Sequence, residues 1–177
     1  VFREHTDKLL IVPILGFGYL GNYALASQVI VILMIIPSTV FKYILPFDST
    51  GKPNRKIKAY TILSSIVLFA IGTFVVPSFI EEIFPQYTHV SESIRIMSVG
   101  VIPLSISLVL TSEFLGKEKS THVLIGSIIT LISMIGGILI LAPVYESVGI
   151  AIAFVISSTS QCLFLLYGYF TKIRKYK

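Results

Sequence analysis

KSTHVLIGSIITLISMIGGILILA (residues 119–142), PVYE (143–146) and SVGIAIAFVISSTSQCLFLLYGYFT (147–171) form the stretch of sequence that decides the fold. Each of the two long runs exceeds the roughly 20 largely apolar residues that a helix needs to cross a bilayer. The segment Pro143–Gly149, which links the two runs and includes the start of the second, is typical of a tight turn. The stretch therefore predicts two antiparallel membrane-spanning helices, at about 119–142 and 147–171.

The rest of the chain contains further apolar runs of similar length. Three further apolar runs predict spanning helices at about 22–45, 57–80 and 92–114. A sixth helix, at about 1–20, has a short apolar run from residue 9 to 20 and ends in a Gly-rich turn at 16–22, so we expect it to be truncated. The predicted fold class is an all-α, polytopic transmembrane bundle of about six helices, forming one domain over residues 1–177.

Two features inside these helices predict local geometry. Interior prolines at Pro13, Pro37 and Pro103 each remove a backbone hydrogen bond and are expected to bend their helices. In the last helix, small residues recur at every fourth position, a pattern that lets another helix approach closely. These residues are Gly149, Ala153 and Ser157.

The distribution of positive charge predicts an orientation. If successive helices alternate in direction, 13 of the 14 Lys and Arg residues fall on one side and Arg95 is alone on the other. Lys and Arg that flank membrane helices are retained in the cytoplasm. We therefore expect a multi-pass protein of the cytoplasmic membrane with both ends of this segment inside. The 13 residues are Arg3, Lys8, Lys42, Lys52, Arg55, Lys56, Lys58, Lys117, Lys119, Lys172, Arg174, Lys175 and Lys177.

Composition excludes several other classes of protein. The mean hydropathy of +0.88 and the 13% of charged residues differ widely from a soluble domain, which carries about 25% charged residues. The net charge of +5 is explained by cytoplasmic loops beside anionic lipid headgroups, so we expect a lipid bilayer as partner and no nucleic acid. His5, His89 and His122 are far apart in sequence, and no catalytic motif is present, so we expect no metal, no cofactor and no enzymatic activity.

Short motifs give the chain a resemblance to a transporter family. LGNYALASQ (20–28), followed by an apolar helix that ends in LPFDS (45–49), resembles a run found in polysaccharide flippases, and Asp7 falls where that family often carries an Asp. FLGK (114–117), PVY (143–145) and VGIAIA (148–153) resemble two of its interhelical turns. The chain is similar to the C-terminal lobe of Wzx-like O-antigen flippases, in the multidrug/oligosaccharidyl-lipid/polysaccharide exporter superfamily.

This resemblance implies an architecture and an activity. It implies a protein of twelve to fourteen helices in two six-helix lobes, which rock around a central cavity and pass a lipid-linked oligosaccharide across the cytoplasmic membrane. Residues 1–177 would then form one lobe, and an N-terminal lobe of the same protein would precede them. Polysaccharide polymerase machinery would be a further partner.

Ionisable residues at membrane depth are candidates for function. The best candidates are Arg3, Asp7 and Lys8, in a cluster where Arg3–Asp7 and Glu4–Lys8 have the i,i+4 spacing of ion pairs on a helix. A cation of this cluster, facing a cavity, would bind the diphosphate of the lipid carrier. The alternative is an interfacial anchor of paired charges.

Further candidate substrate-binding residues have equally simple alternatives. Lys42, one turn before the inner end of its helix, is also explained by snorkelling to the interface. Arg95 follows Glu92 by three residues, so an ion pair with Glu92 competes with contact to lipid phosphate or the exported sugar. Gln28 is predicted either to line the cavity mouth or to pack between helices. Glu113, four residues before Lys117, is interpreted as half of a surface ion pair.

Three functions fit these observations. The first is a flippase for isoprenoid-diphosphate-linked saccharides, which needs cations in its cavity. The second is a drug/cation antiporter of the same superfamily, in which Asp7 or Glu113 would be the essential group. The third is a non-transporting membrane assembly subunit, in which the charges would face lipid and could be removed without effect.

Overall fold

The structure, a computed structural model, describes residues 17–51, 54–83 and 90–173. Within these ranges it is an all-α bundle without strands. The helices are α1 (Phe17–Leu33), α2 (Ile35–Ser49), α3 (Arg55–Ala70), α4 (Val76–Ile83), α5 (Val90–Val99), α6 (Val101–Gly116) and α7 (Ser120–Gly168). One π-helical turn, Ile71–Val75, joins α3 to α4, and another, Tyr169–Ile173, follows α7.

These helices have the length and composition of membrane spans. Among the described residues, three segments are long and apolar enough to cross a membrane, and the α1–α2 pair makes a fourth if it is one bent span. Large apolar side chains lie exposed on the outside of the bundle, for example Phe74, Ile140 and Tyr167. The three segments are Arg55–Ile83, Val90–Gly116 and Ser120–Thr171.

Helix α7 is a helical hairpin. Glu146 has a non-helical backbone (φ 51°, ψ −127°) and divides α7 into two limbs, each longer than the roughly 20 residues of a membrane crossing. The limbs are antiparallel, because Gly137 lies against Ala153 near the turn while Gly126 lies against Leu165 far from it. The predicted pair of helices and the tight turn between them are confirmed.

The small residues of the second limb make this hairpin close. A Cβ atom placed on Gly149 would clash with the backbone carbonyl of Leu141, and one on Gly137 would lie 2.7 Å from the Cβ of Ala153. Ser157 Oγ lies 3.7 Å from the sulfur of Met134 on the first limb. The prediction that this small-residue face contacts another helix is confirmed.

Two of the predicted proline bends lie in described residues. α1 and α2 meet at 46° around Met34, one turn before Pro37, which has no N–H to bond to the Leu33 carbonyl. The helix from Val90 to Gly116 is likewise interrupted at Gly100, one turn before Pro103. Pro13 lies outside the described residues.

One predicted boundary is wrong. The Gly-rich run at 16–22 was expected to be a turn between helices at about 1–20 and 22–45, but α1 runs without a break from Phe17 to Leu33. A turn of this kind would use the left-handed conformation that glycine permits, and among the described glycines only Gly51 has a positive φ. Burial of Tyr23 and Ala26 in the core favours the continuous helix. The rest of the predicted first helix lies outside the described residues.

The charges separate to the two ends of the bundle. Successive spans alternate in direction, so the turns after α2 and after α6 lie at one end together with the end of α7; we call this the basic end. Arg95 lies in α5 towards the other end, near which Glu146 makes its turn. Within the described bundle the basic residues thus lie mainly at one end, and the side of the membrane that this end faces stays a prediction. The described basic side chains at or towards the basic end are Lys42, Arg55, Lys56, Lys58, Lys117 and Lys119.

Candidate functional site: a charged cluster at the basic end

Three charged side chains meet inside the basic end of the bundle. Lys58 Nζ lies 2.7 Å from Asp48 Oδ1 and 2.8 Å from Glu113 Oε1. Ser112 Oγ donates a hydrogen bond to the second carboxylate oxygen of Asp48, at 2.5 Å. The side chains of Asp48, Lys58 and Glu113 are only 3%, 7% and 17% exposed. We call Asp48, Lys58, Ser112 and Glu113 the charged cluster.

The ends of three helices position this cluster. Asp48 is the penultimate residue of α2, Lys58 lies in the first turn of α3, and Ser112 and Glu113 lie in the last two turns of α6. Asn54 starts α3 by accepting a hydrogen bond from the Ile57 N–H at 3.3 Å. This cap fixes where α3 begins and hence where Lys58 enters the bundle.

A glycine allows α2 and α6 to approach closely at this point. A Cβ atom placed on Gly116 would lie 2.6 Å from the carbonyl carbon and 2.8 Å from the carbonyl oxygen of Asp48. Backbone atoms cannot move aside as a flexible side chain does. Gly116 is therefore required for the contact that brings Asp48 beside α6.

The helix dipoles oppose all three charges. A helix carries partial positive charge at its N-terminus and partial negative charge at its C-terminus. Lys58 lies near the N-terminus of α3, whereas Asp48 and Glu113 lie near the C-termini of α2 and α6. The mutual ion pairs, rather than the helix ends, therefore hold these charges in the bundle.

Three members of the cluster, Asp48, Lys58 and Glu113, line one wall of a cavity of about 940 Å³. The cavity has further cations beside the cluster, Arg55 and Lys117, both of which are exposed. Its remaining wall is largely apolar and aromatic. The apolar and aromatic lining residues are Ala59, Ile62, Val109, Leu110, Tyr169 and Phe170. The cavity thus combines charged groups and apolar surface, which suits an amphiphilic ligand.

The structure does not bring the described members of the sequence-predicted site to this cavity. Gln28 on α1, Lys42 on α2 and Arg95 on α5 are exposed, and none of them lines it. Between the described residues Glu92 and Arg95 there is no ion pair. Arg3, Asp7 and Lys8 lie outside the described residues. The substrate-binding roles proposed for all six stay predictions.

Sequence reasoning missed the charged cluster. It placed Lys58 at the start of the predicted helix at about 57–80 and used it only as one of the cations that set the orientation, whereas Lys58 is buried on the same face of α3 as Thr61 and Ser65. It also gave Glu113 a surface partner, Lys117, whereas Glu113 pairs with Lys58. The spacing of Lys58, Thr61 and Ser65 along one helical face was the signal that could have revealed the buried lysine.

The described part of the chain offers no site for a metal ion. No group of three or more His, Cys, Asp and Glu side chains there could hold one. The charged cluster has two carboxylates, and both bind Lys58. The chemistry of the cluster is therefore that of ion pairs and hydrogen bonds.

Comparison with known proteins gives no relative. No family model, curated protein or solved structure matches the chain. The similarity to polysaccharide flippases therefore remains an expectation from the sequence motifs, and the cavity and its charges are the structural basis for any proposed function.

Proposed function

We propose that this chain is part of a membrane transporter that passes a lipid-linked oligosaccharide across the cytoplasmic membrane for polysaccharide synthesis. The observation that carries the proposal is the charged cluster, buried between the ends of three apolar helices and beside a cavity. Ionisable groups buried within a bundle of membrane helices are costly, and they commonly mark a transport pathway. The motifs at 20–28, 45–49 and 114–117 support the same conclusion.

The two walls of the cavity suit such a substrate. A lipid-linked oligosaccharide has a polar, phosphorylated head and a long apolar chain. Cations that line the cavity beside the charged cluster would bind the head, and Tyr169 and Phe170 would contact its apolar part. The cavity lies at the basic end, which the charge distribution predicts to be cytoplasmic. A substrate made in the cytoplasm would enter there.

The proposed transporter would have three partners: the lipid bilayer, an N-terminal lobe and polysaccharide polymerase machinery. The bilayer covers the exposed apolar side chains, and an N-terminal lobe of the same protein would complete the transport pathway. Polysaccharide polymerase machinery would receive the substrate on the far side. Each of these partners is part of the proposal.

A transport assay tests the proposal. The full-length protein is reconstituted into vesicles that contain a labelled lipid-linked oligosaccharide, and a membrane-impermeant glycosidase is added outside. With the wild type, we expect the cleaved fraction to pass the half that protein-free vesicles reach. The Glu113→Gln variant, which weakens the contact with Lys58, is expected to slow transfer by about tenfold, as loss of a charge-assisted hydrogen bond would.

Glu118→Gln is the matched control, because Glu118 is exposed, lies five residues from Glu113 and does not line the cavity. It is expected to transport like the wild type. Wild-type vesicles that never exceed the protein-free level would contradict the proposed function. Native mass spectrometry of the full-length protein in mild detergent gives an independent readout, since a bound isoprenoid-diphosphate sugar identifies the substrate class directly.

A second candidate is a drug/cation antiporter, and one observation favours it. Asp48 and Glu113 lie on the same cavity wall with only one lysine between them, so the charged cluster has a net charge of −1. An organic cation would be attracted to that wall. Proton-driven uptake of an organic cation into the same vesicles, lost in Glu113→Gln, would support the antiporter over the flippase.

A further inference from the structure

We propose that Arg55 and Lys117, at the mouth of the basic-end cavity, bind the phosphate of the amphiphilic substrate. This inference rests on the proposed function, which it deepens by assigning the residues that recognise the head of the substrate. Both residues line the cavity and both are exposed. The sequence motifs gave Arg55 no binding role, and they gave Lys117 only a place in the FLGK turn and a pairing with Glu113.

Lys58 is not available for this role. Its ammonium group is buried and already contacts two carboxylates, at 2.7 and 2.8 Å. A phosphate that reached Lys58 would have to displace Asp48 or Glu113, and either carboxylate would then be left in the bundle without its counter-ion. Such a broken pair is strongly unfavourable. Lys58 therefore serves to hold the carboxylates and not the substrate.

Arg55 and Lys117, unlike Lys58, are exposed and available to bind an anion. Among the described residues, neither forms an ion pair, so their charges are free to meet an anion. Arg55 is also the first residue of α3, where the partial positive charge of the helix N-terminus adds to its own. A guanidinium group with an ammonium group is a common combination for binding phosphate.

The charges along the cavity determine how the substrate is oriented. Asp48 and Glu113 repel a phosphate from the charged cluster, while Arg55 and Lys117 attract it to the mouth. The apolar part of the substrate is then left to contact the wall that contains Tyr169 and Phe170. The phosphate therefore lies at the cytoplasmic mouth, with the apolar chain against the aromatic wall.

Direct binding measurements test this assignment. The probe is dihexanoyl phosphatidic acid, a short lipid with a phosphate monoester head, added to the full-length protein in detergent and followed by isothermal titration calorimetry. Dihexanoyl phosphatidylcholine controls for the acyl chains, and inorganic phosphate controls for the anion without a lipid. Arg55→Gln and Lys117→Gln remove the proposed contacts, singly and together. Lys56→Gln is the matched control, because Lys56 is exposed beside Arg55 but does not line the cavity.

We expect each single variant to weaken binding of the phosphatidic acid by about tenfold, as the loss of one charge-assisted hydrogen bond would. The double variant should weaken it further, and Lys56→Gln should bind like the wild type. Equal losses in Lys56→Gln, or wild-type affinity in the double variant, would overturn the assignment. Inorganic phosphate that binds as tightly as the lipid would overturn the amphiphile part of it.

The transport assay separates this inference from the proposed function. If the double variant loses phosphatidic acid binding while the wild type transports no oligosaccharide, the phosphate site stands and the proposed function fails. If the wild type transports and the double variant transports equally well, the proposed function stands and the phosphate site fails. Circular dichroism of each variant confirms that the helices are intact.

Discussion

Replacing Lys58 by Met should destabilise the bundle because it leaves two carboxylates without their shared counter-ion. The Met side chain fills a similar space but makes neither the 2.7 Å contact with Asp48 nor the 2.8 Å contact with Glu113. Removal of one partner from a buried ion pair typically costs about 3–5 kcal/mol. Glu113 is 17% exposed and can recover some hydration, and Asp48 keeps its bond from Ser112, so we expect a loss near the lower limit, about 3 kcal/mol.

The matched control is a triple variant that removes the two carboxylate charges together with the lysine charge. In the triple variant Asp48→Asn, Lys58→Met, Glu113→Gln, no charge is left in the cluster, while the side chains keep almost the same shape. Replacing a whole buried ion pair with well-packed apolar residues of similar volume is often close to neutral in stability, and the two amides introduced here likewise bring no charge to desolvate. We therefore expect the triple variant to recover most of the roughly 3 kcal/mol that Lys58→Met alone loses.

Unfolding of the full-length protein in mixed detergent micelles measures both quantities. The protein is titrated with increasing mole fractions of denaturing detergent, and helix content is followed by circular dichroism. If Lys58→Met unfolds at the same denaturant level as the wild type, Lys58 is neither buried nor paired with the two carboxylates. If the triple variant is as unstable as Lys58→Met, the loss comes from packing of the lysine stem rather than from unpaired charge.

Three further predictions, one of them with a control substitution, test the geometry of the helices. Gly116→Ala places a Cβ atom 2.6 Å from the backbone of Asp48 and should lower the free energy of unfolding by about 1–3 kcal/mol, measured by the same titration. Glu146→Gly should raise it by about 1 kcal/mol, because the φ of 51° and ψ of −127° suit glycine; a lower stability would show that the Glu146 side chain matters more than its backbone. Gly137→Val should separate the two limbs of α7 and lower the melting temperature, whereas Gly136→Val, with no atom within 4 Å of its Cβ position, should change it little.

The helices could be predicted from the sequence because their causes are local. A long apolar run determines the helix that it forms, and a proline or a tight turn changes the backbone only within a few residues. The predicted segments at 57–80 and 92–114 thus agree with Arg55–Ile83 and Val90–Gly116 to within about three residues. The Gly-rich run at 16–22 misled the prediction because glycine permits a turn without requiring one.

The charged cluster could not be predicted in the same way because its contacts are distant in sequence. Lys58 is 10 residues from Asp48 and 55 from Glu113. A local rule instead paired Glu113 with Lys117 at the i,i+4 spacing. That rule requires both residues to lie in one helix, but α6 ends at Gly116 and Lys117 is its C-cap, with a φ of −102°. Glu113 instead forms its ion pair with Lys58, which lies on another helix, α3.

Stability alone does not account for three charges that oppose their own helix dipoles. Neutral residues of the same shape at Asp48, Lys58 and Glu113 would avoid the desolvation of buried charge and the unfavourable dipole contacts. If the cluster serves transport, the triple variant that keeps the fold should still lose it. We expect this variant to unfold close to the wild type in the detergent titration and to transfer no oligosaccharide in the vesicle assay. A triple variant that is stable and transports normally would show that the cluster is only a structural contact, and the cavity would then need another group to act on the substrate.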